Sequence, residues 1–104
     1  ELNTSPEVDG ILLQLPLPGH LDSKRHLLEI HPRKDADGLH PLNQGLLLAG
    51  TVTVKPCTPR GVMKLVDLAL AGGDVEADLP EADLSGKHAV VIGRSVLVGK
   101  PAGL

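Results

Sequence analysis

The chain has 104 residues, a net charge of −3 and no Phe, Tyr or Trp. Its core must be built from Leu, Val, Ile and Ala, and with no aromatic platform for stacked bases and no dense basic run it is not a nucleic-acid binder. One Cys excludes an internal disulfide framework and fits a reducing compartment, with cytoplasm as the expected location, and no apolar stretch is long enough to span a membrane.

Glu1 to Glu7 is polar, carries Pro6 and reads as a loop or frayed end. Asp9 and Gly10 lead into Ile11-Leu12-Leu13-Gln14-Leu15, an apolar run expected to form a strand buried on both faces. Gln14 stands at its carboxyl end, where ligands bind in open α/β sheets. From the residues alone, a binding amide and an amide bonded to a neighbouring loop are equally good readings. Pro16, Pro18 and Gly19 stop the strand. Asp22 or Ser23 caps a short helix over Lys24 to Ile30, which Pro32 ends. Arg33 to His40 is dense in charge, with a turn at Asp37-Gly38, and reads as a charged surface loop.

Asn43 to Ala49 is expected to be a short helix ending at Gly50, and Thr51 to Val54 a brief strand. Thr58 then suits an N-cap and Pro59 a first helical residue. Val62, Leu65, Val66, Ala69 and Leu70 share one face of the following helix, and Met63 and Leu68 widen the stripe. The pattern predicts a helix buried on two sides, a connector between domains, ending at Gly72-Gly73. Cys57 reads as a packed thiol. Asp74 to Ser85 holds Asp74, Glu76, Asp78, Glu81 and Asp83 with no base, and reads as a solvated loop.

Ala89-Val90-Val91-Ile92 is a second apolar run expected to be a strand covered on both faces. Gly93 permits a sharp turn and close approach of a ligand to the backbone. Gly99 and Pro101 suit the mouth of a helix, whose free N–H groups attract phosphate. The stretch is not an ATP-binding P-loop, because five residues separate Gly93 from Gly99 and Pro101 replaces the Mg²⁺-binding hydroxyl. It is a variant dinucleotide turn, with Ser95 for the second glycine and Gly99 one residue late. Arg94 is placed to pair with a ribose phosphate, which favours NADP over NAD. Asp35-Ala36-Asp37-Gly38 looks like part of a calcium loop, but Arg33 and Gln44 stand where acidic ligands belong. His31 and His40 lack zinc-ligand spacing, so no metal is expected.

Four stretches together carry a resemblance. They are Asp9 to Pro18, Lys34 to Gly38, Pro56-Cys57-Thr58-Pro59-Arg60-Gly61-Val62-Met63, and Gly86 to Ser95 continued by Val98-Gly99-Lys100-Pro101. In order and content they closely resemble the bifunctional methylenetetrahydrofolate dehydrogenase/methenyltetrahydrofolate cyclohydrolase family, over nearly the whole chain. The resemblance implies a two-domain α/β enzyme, with a folate domain and a Rossmann-type NADP domain. On that reading residues 1–57 end the folate domain, 58–85 form a connecting helix and acidic loop, and 86–104 begin the NADP domain. The implied reaction is NADP-dependent oxidation of methylene-tetrahydrofolate to the methenyl form, then hydrolysis to formyl-tetrahydrofolate.

The resemblance also implies site residues. Leu13, Gln14 and Leu15 line the folate site, Gln14 orients a catalytic Lys, Asp37 binds the pterin ring, and Gly93, Arg94 and Ser95 contact the NADP phosphates. A homodimer is implied as well. The family's Tyr-x-x-x-Lys motif is not in this chain, which has no Tyr, and is expected before Glu1. The chain therefore reads as a fragment that is inactive alone, with an insertion between Met63 and Gly86. Ala36 stands where Val is more usual. The alternatives are a non-catalytic folate- or nucleotide-binding relative, and an enzyme keeping one activity or preferring NAD.

Overall fold

The computed structural model describes residues 1–52, 54–71 and 81–104. The chain divides into two compact units, Glu1–Lys55 and Pro56–Leu104. The first contains α1 (Ser23–Glu29), a 3₁₀ turn (Pro32–Lys34) and α2 (Pro41–Leu48). The second contains α3 (Cys57–Ala71) and the single-turn α4 (Gly99–Ala102).

Helix α1 starts where the Asp22 carboxylate accepts hydrogen bonds from the backbone N–H of Lys24 and Arg25, satisfying two donors that the first turn leaves open. Its exit is tied by Asn3, whose amide donates to the Glu29 carbonyl and whose oxygen accepts from the His31 N–H, both at 2.7 Å. Lys34 Nζ donates to the carbonyls of Leu2 and Ser5. The amino-terminal stretch is thus anchored by side-chain bonds rather than frayed, which its polar composition concealed.

Helix α2 begins at Pro41, two residues before the expected Asn43. His40 Nδ1 accepts from the Leu42 N–H, and Pro41 takes the first helical position, where no N–H is needed. The same device recurs upstream: His31 Nδ1 accepts from the Arg33 N–H, and Pro32 opens the 3₁₀ turn. Two His-Pro pairs therefore start helical turns. Helix α2 ends as expected at Gly50, which adopts φ +70°. The Gly50 and Thr51 N–H groups donate back to the Leu47 and Leu46 carbonyls, closing a Schellman motif.

Helix α3 begins at Cys57, so Thr58 and Pro59 lie inside its first turn rather than at its cap. Pro59 still falls among the first four residues, whose N–H groups have no intrahelical acceptor. The expected two-sided apolar burial is not found: Val62, Met63 and Leu70 are exposed, and Leu65 is 63% exposed. The residue that turns inward is Asp67, 5% exposed, whose Oδ1 accepts from the Ala82 N–H at 3.0 Å. Within this unit α3 packs against α4. Cys57 is exposed rather than packed.

None of the three expected strands pairs into a ladder among the described residues. The first makes one parallel bridge, between Ile11 and Asp35. Beyond it Leu13 and Leu15 are half-buried while Leu12 and Gln14 are exposed, the period-two pattern of a strand covered on one face only. Residues 89–92 have no ladder partner among the described residues, and Val90 and Ile92 are 85% and 98% exposed. A lone strand has nothing to bury its faces against. Thr51, Val52 and Val54 are also unpaired, and Thr53 and residues 72–80, with the Gly72-Gly73 stop and most of the acidic run, lie outside the described residues.

Candidate functional site

The loop from Lys34 to His40, expected to be a charged surface, is the most tightly bound part of the first unit. Asp35 is 3% exposed, and its Oδ2 accepts from the His40 N–H and the Asn43 amide, both at 2.8 Å. The same Asn43 amide donates to the Pro32 carbonyl at 2.9 Å. Gln44 Nε2 donates to the Gly38 carbonyl at 2.6 Å. Gly38 turns the chain at φ +66°, a left-handed conformation that favours glycine. Leu39 is buried beside this turn in sequence, and Ile30 is the other buried large apolar residue among those described. Charge density misled because a carboxylate with two N–H donors can be buried at little cost.

The bridge to Ile11 joins this loop to the run that carries Gln14. The Ile11 N–H donates to the Lys34 carbonyl at 2.6 Å, and the Ala36 N–H donates to the Ile11 carbonyl at 3.2 Å. The two segments meet in parallel at that single rung, after which the chain past Ile11 carries Leu13 and Gln14 and the chain past Asp35 turns at once through Ala36 and Asp37. Gln14 is exposed, and among the described residues its Nε2 donates only to the adjacent Leu15 carbonyl. Leu15 precedes a cis peptide bond to Pro16. Asp37 is half-exposed, and its carboxylate makes no hydrogen bond or ion pair among the described residues. Sequence reasoning named Gln14 and Asp37 but missed Asp35, Asn43 and Gln44. The signal available for them was the amide pair Asn43-Gln44, set at the start of a helix just after a tight turn.

In the second unit Gly93 adopts φ +144°, and Gly99 lies against it so closely that a Cβ at 99 would stand 2.5 Å from the Gly93 carbonyl oxygen. Two glycines are required here, one for conformation and one for space. Ser95 Oγ accepts from the Val98 and Gly99 N–H groups, at 3.1 and 3.3 Å. These are the donors expected to be free for phosphate at the helix mouth, so the serine already occupies them. Its hydroxyl hydrogen remains available to donate outward. Arg94 is exposed and has no ion-pair partner among the described residues. A narrow glycine turn, an exposed guanidinium and a serine with a spare donor suit a phosphate-bearing cofactor.

An interrupted parallel segment, a glycine-edged turn and short helices fit an α/β fold. Residues 1–37 match the sequence model of the tetrahydrofolate dehydrogenase/cyclohydrolase catalytic domain. The whole chain is 53% identical to the bifunctional protein FolD of Synechococcus sp. strain RCC307, of which it covers 32%. Among solved structures, the bifunctional methylenetetrahydrofolate dehydrogenase/cyclohydrolase FolD of Campylobacter jejuni superposes with a TM-score of 0.79 at 46% identity, over 97% of this chain and 32% of that one. A 5,10-methylenetetrahydrofolate dehydrogenase from the silkworm Bombyx mori gives the same TM-score at 39% identity, over 97% of this chain and 31% of that one. The chain thus shares the α/β fold of these enzymes. Along its whole length it is similar to these tetrahydrofolate dehydrogenase/cyclohydrolase enzymes, and it spans about a third of the length of the relatives it matches.

Proposed function

We propose that this chain is the part of a methylenetetrahydrofolate dehydrogenase/methenyltetrahydrofolate cyclohydrolase that joins a folate site to an NADP site. The observation that carries the reading is the 53% identity to a bifunctional relative over all 104 residues. The division into the end of a folate domain at 1–57, a connector at 58–85 and the start of an NADP domain at 86–104 belongs to the same proposal, as do a cytoplasmic location and a homodimer.

Leu13, Gln14 and Leu15 line the folate pocket in this reading, with Gln14 orienting a lysine contributed from outside this chain. Its exposed amide, held only by a local bond to Leu15, is available for that task. Asp37 binds the pterin through a carboxylate that no described protein group satisfies. An ionised carboxylate facing a ring's N–H donors forms charge-assisted bonds, about twice as strong as neutral ones. The rung between Ile11 and Asp35 supports a shared site for the two stretches. Gly93, Arg94 and Ser95 would hold the cofactor phosphates. Bound NADP supplies the hydride acceptor, and the Arg94 guanidinium favours a cofactor carrying the additional ribose phosphate.

The test is NADPH formation from methylene-tetrahydrofolate by the full-length protein that carries this segment. The full-length protein is expected to be active and the 104-residue chain alone inactive. In the full-length protein, Asp37→Ala should weaken folate binding sharply; an unchanged KM and kcat would remove Asp37 from the site. Offering NAD in place of NADP checks the cofactor, and equal rates with both would remove the role given to Arg94.

A further inference from the structure

We propose that Gln44 is a positioning residue that holds Asp37 in place for folate, a proposal that rests on the folate-binding reading of Asp37. The turn that carries Asp37 is clamped on both sides by helix α2. On the upstream side Asp35 is fixed by the Asn43 amide and by the His40 N–H. On the downstream side the Gly38 carbonyl is fixed by Gln44 Nε2 at 2.6 Å. The Ala36 N–H is taken by the Ile11 carbonyl. Every neighbour of Asp37 is therefore tied, while its own carboxylate has no partner among the described residues.

That division of labour is what a preorganised binding group needs. A turn free to move would lose conformational entropy when ligand arrives, and a turn already braced does not. The two side-chain clamps from α2 differ in what else they support. Asn43 is buried and also bonds the Pro32 carbonyl, so it serves the unit as a whole. Gln44 is half-buried and makes its one side-chain bond to the residue next to Asp37. Its removal should loosen the turn without dismantling the core, and the loss should fall on binding rather than on chemistry.

The experiment is a double-mutant cycle in the full-length enzyme, reading KM for methylene-tetrahydrofolate and kcat for Gln44→Leu, Asp37→Ala and the pair. Gln44→Leu is expected to raise KM roughly three- to tenfold, the worth of one hydrogen bond, with kcat nearly unchanged. On the Asp37→Ala background the same substitution should add nothing further, because it acts through Asp37. A KM unmoved by Gln44→Leu, or a rise that adds fully to that of Asp37→Ala, overturns the proposal while leaving Asp37 as a binding residue. A KM unmoved by Asp37→Ala overturns the underlying reading and this one with it. Should Gln44→Leu fail to fold, Gln44→Glu keeps the side-chain length while removing the donor, and must show the same split.

Discussion

The two units differ in how far their own side chains complete them. In Glu1–Lys55 the turns are fastened by polar side chains: Asp22 on α1, Asn3 on the exit of α1, His40 at the start of α2, and the Asp35, Asn43 and Gln44 bonds around Asp37. In Pro56–Leu104 Ser95 and Asp67 also tie backbone N–H groups, but beside them stands a backbone-against-backbone approach of Gly99 to Gly93, and the most apolar stretch lies uncovered. A hydrogen bond is complete with a single partner, whether close in the chain, as for Asp22, or distant, as for Asn3. An apolar strand needs a neighbour along its whole length, so it stays open until one is provided. A chain can therefore carry one region that is settled by its own side chains and another that waits for a sheet.

The contrast can be broken most severely at Asp35. Asp35→Ala would leave the His40 N–H and the Asn43 amide without their acceptor in a buried place, and should cost roughly 2–4 kcal/mol. Chemical denaturation of the full-length protein measures it, and a change near zero would mean that side-chain ties do not hold the first unit. Next comes Gly99→Ala, which presses a methyl group against the Gly93 carbonyl. Overpacking of that kind costs about 1–3 kcal/mol. The same denaturation series should show it, and a tolerated alanine would deny that close backbone approach shapes the second unit.

The smallest effect concerns an exposed polar tie. The His26 ring bonded to Glu29, with Arg25 also beside it, holds the Glu29 carboxyl below the usual glutamate range. A depressed folded value means that the stabilisation is present at pH above the ordinary carboxylate range. It is lost as pH falls through the lowered value. Exposure to solvent keeps it small. An NMR titration should find Glu29 returning toward its ordinary value in His26→Ala. No movement would assign the shift to Arg25 instead.

What was legible in the sequence was largely what is local. The Asp22 cap, one of two candidates with Ser23, and the Gly50 stop are decided by residues within one turn of each other, although α1 runs over Ser23–Glu29 rather than Lys24 to Ile30. The start of α2 was missed because histidine is not among the usual caps, although His40 Nδ1 supplies the same acceptor. The inward face of α3 was misread because Asp67 is buried by a partner fifteen residues further on, the Ala82 N–H. Hydrophobic periodicity cannot see such a bond. The Asp35 loop failed for the same reason, since the donors that make its burial tolerable come from α2. Of the candidate site, the glycine turn and Gln14 were visible as patterns, whereas Asp37 emerged only through family likeness. The rung from Ile11 to Asp35 is a tertiary pairing that no local pattern announces.

The bond from Asp67 to Ala82 has a consequence for how this chain tolerates change. It fixes the point at which the backbone rejoins α3, whatever number of residues lies between. The entropy of closing such an excursion grows only with the logarithm of its length, about 0.6 kcal/mol for each doubling. The aspartate acts as a clasp, holding Ala82 to the helix by one bond across fifteen positions of chain.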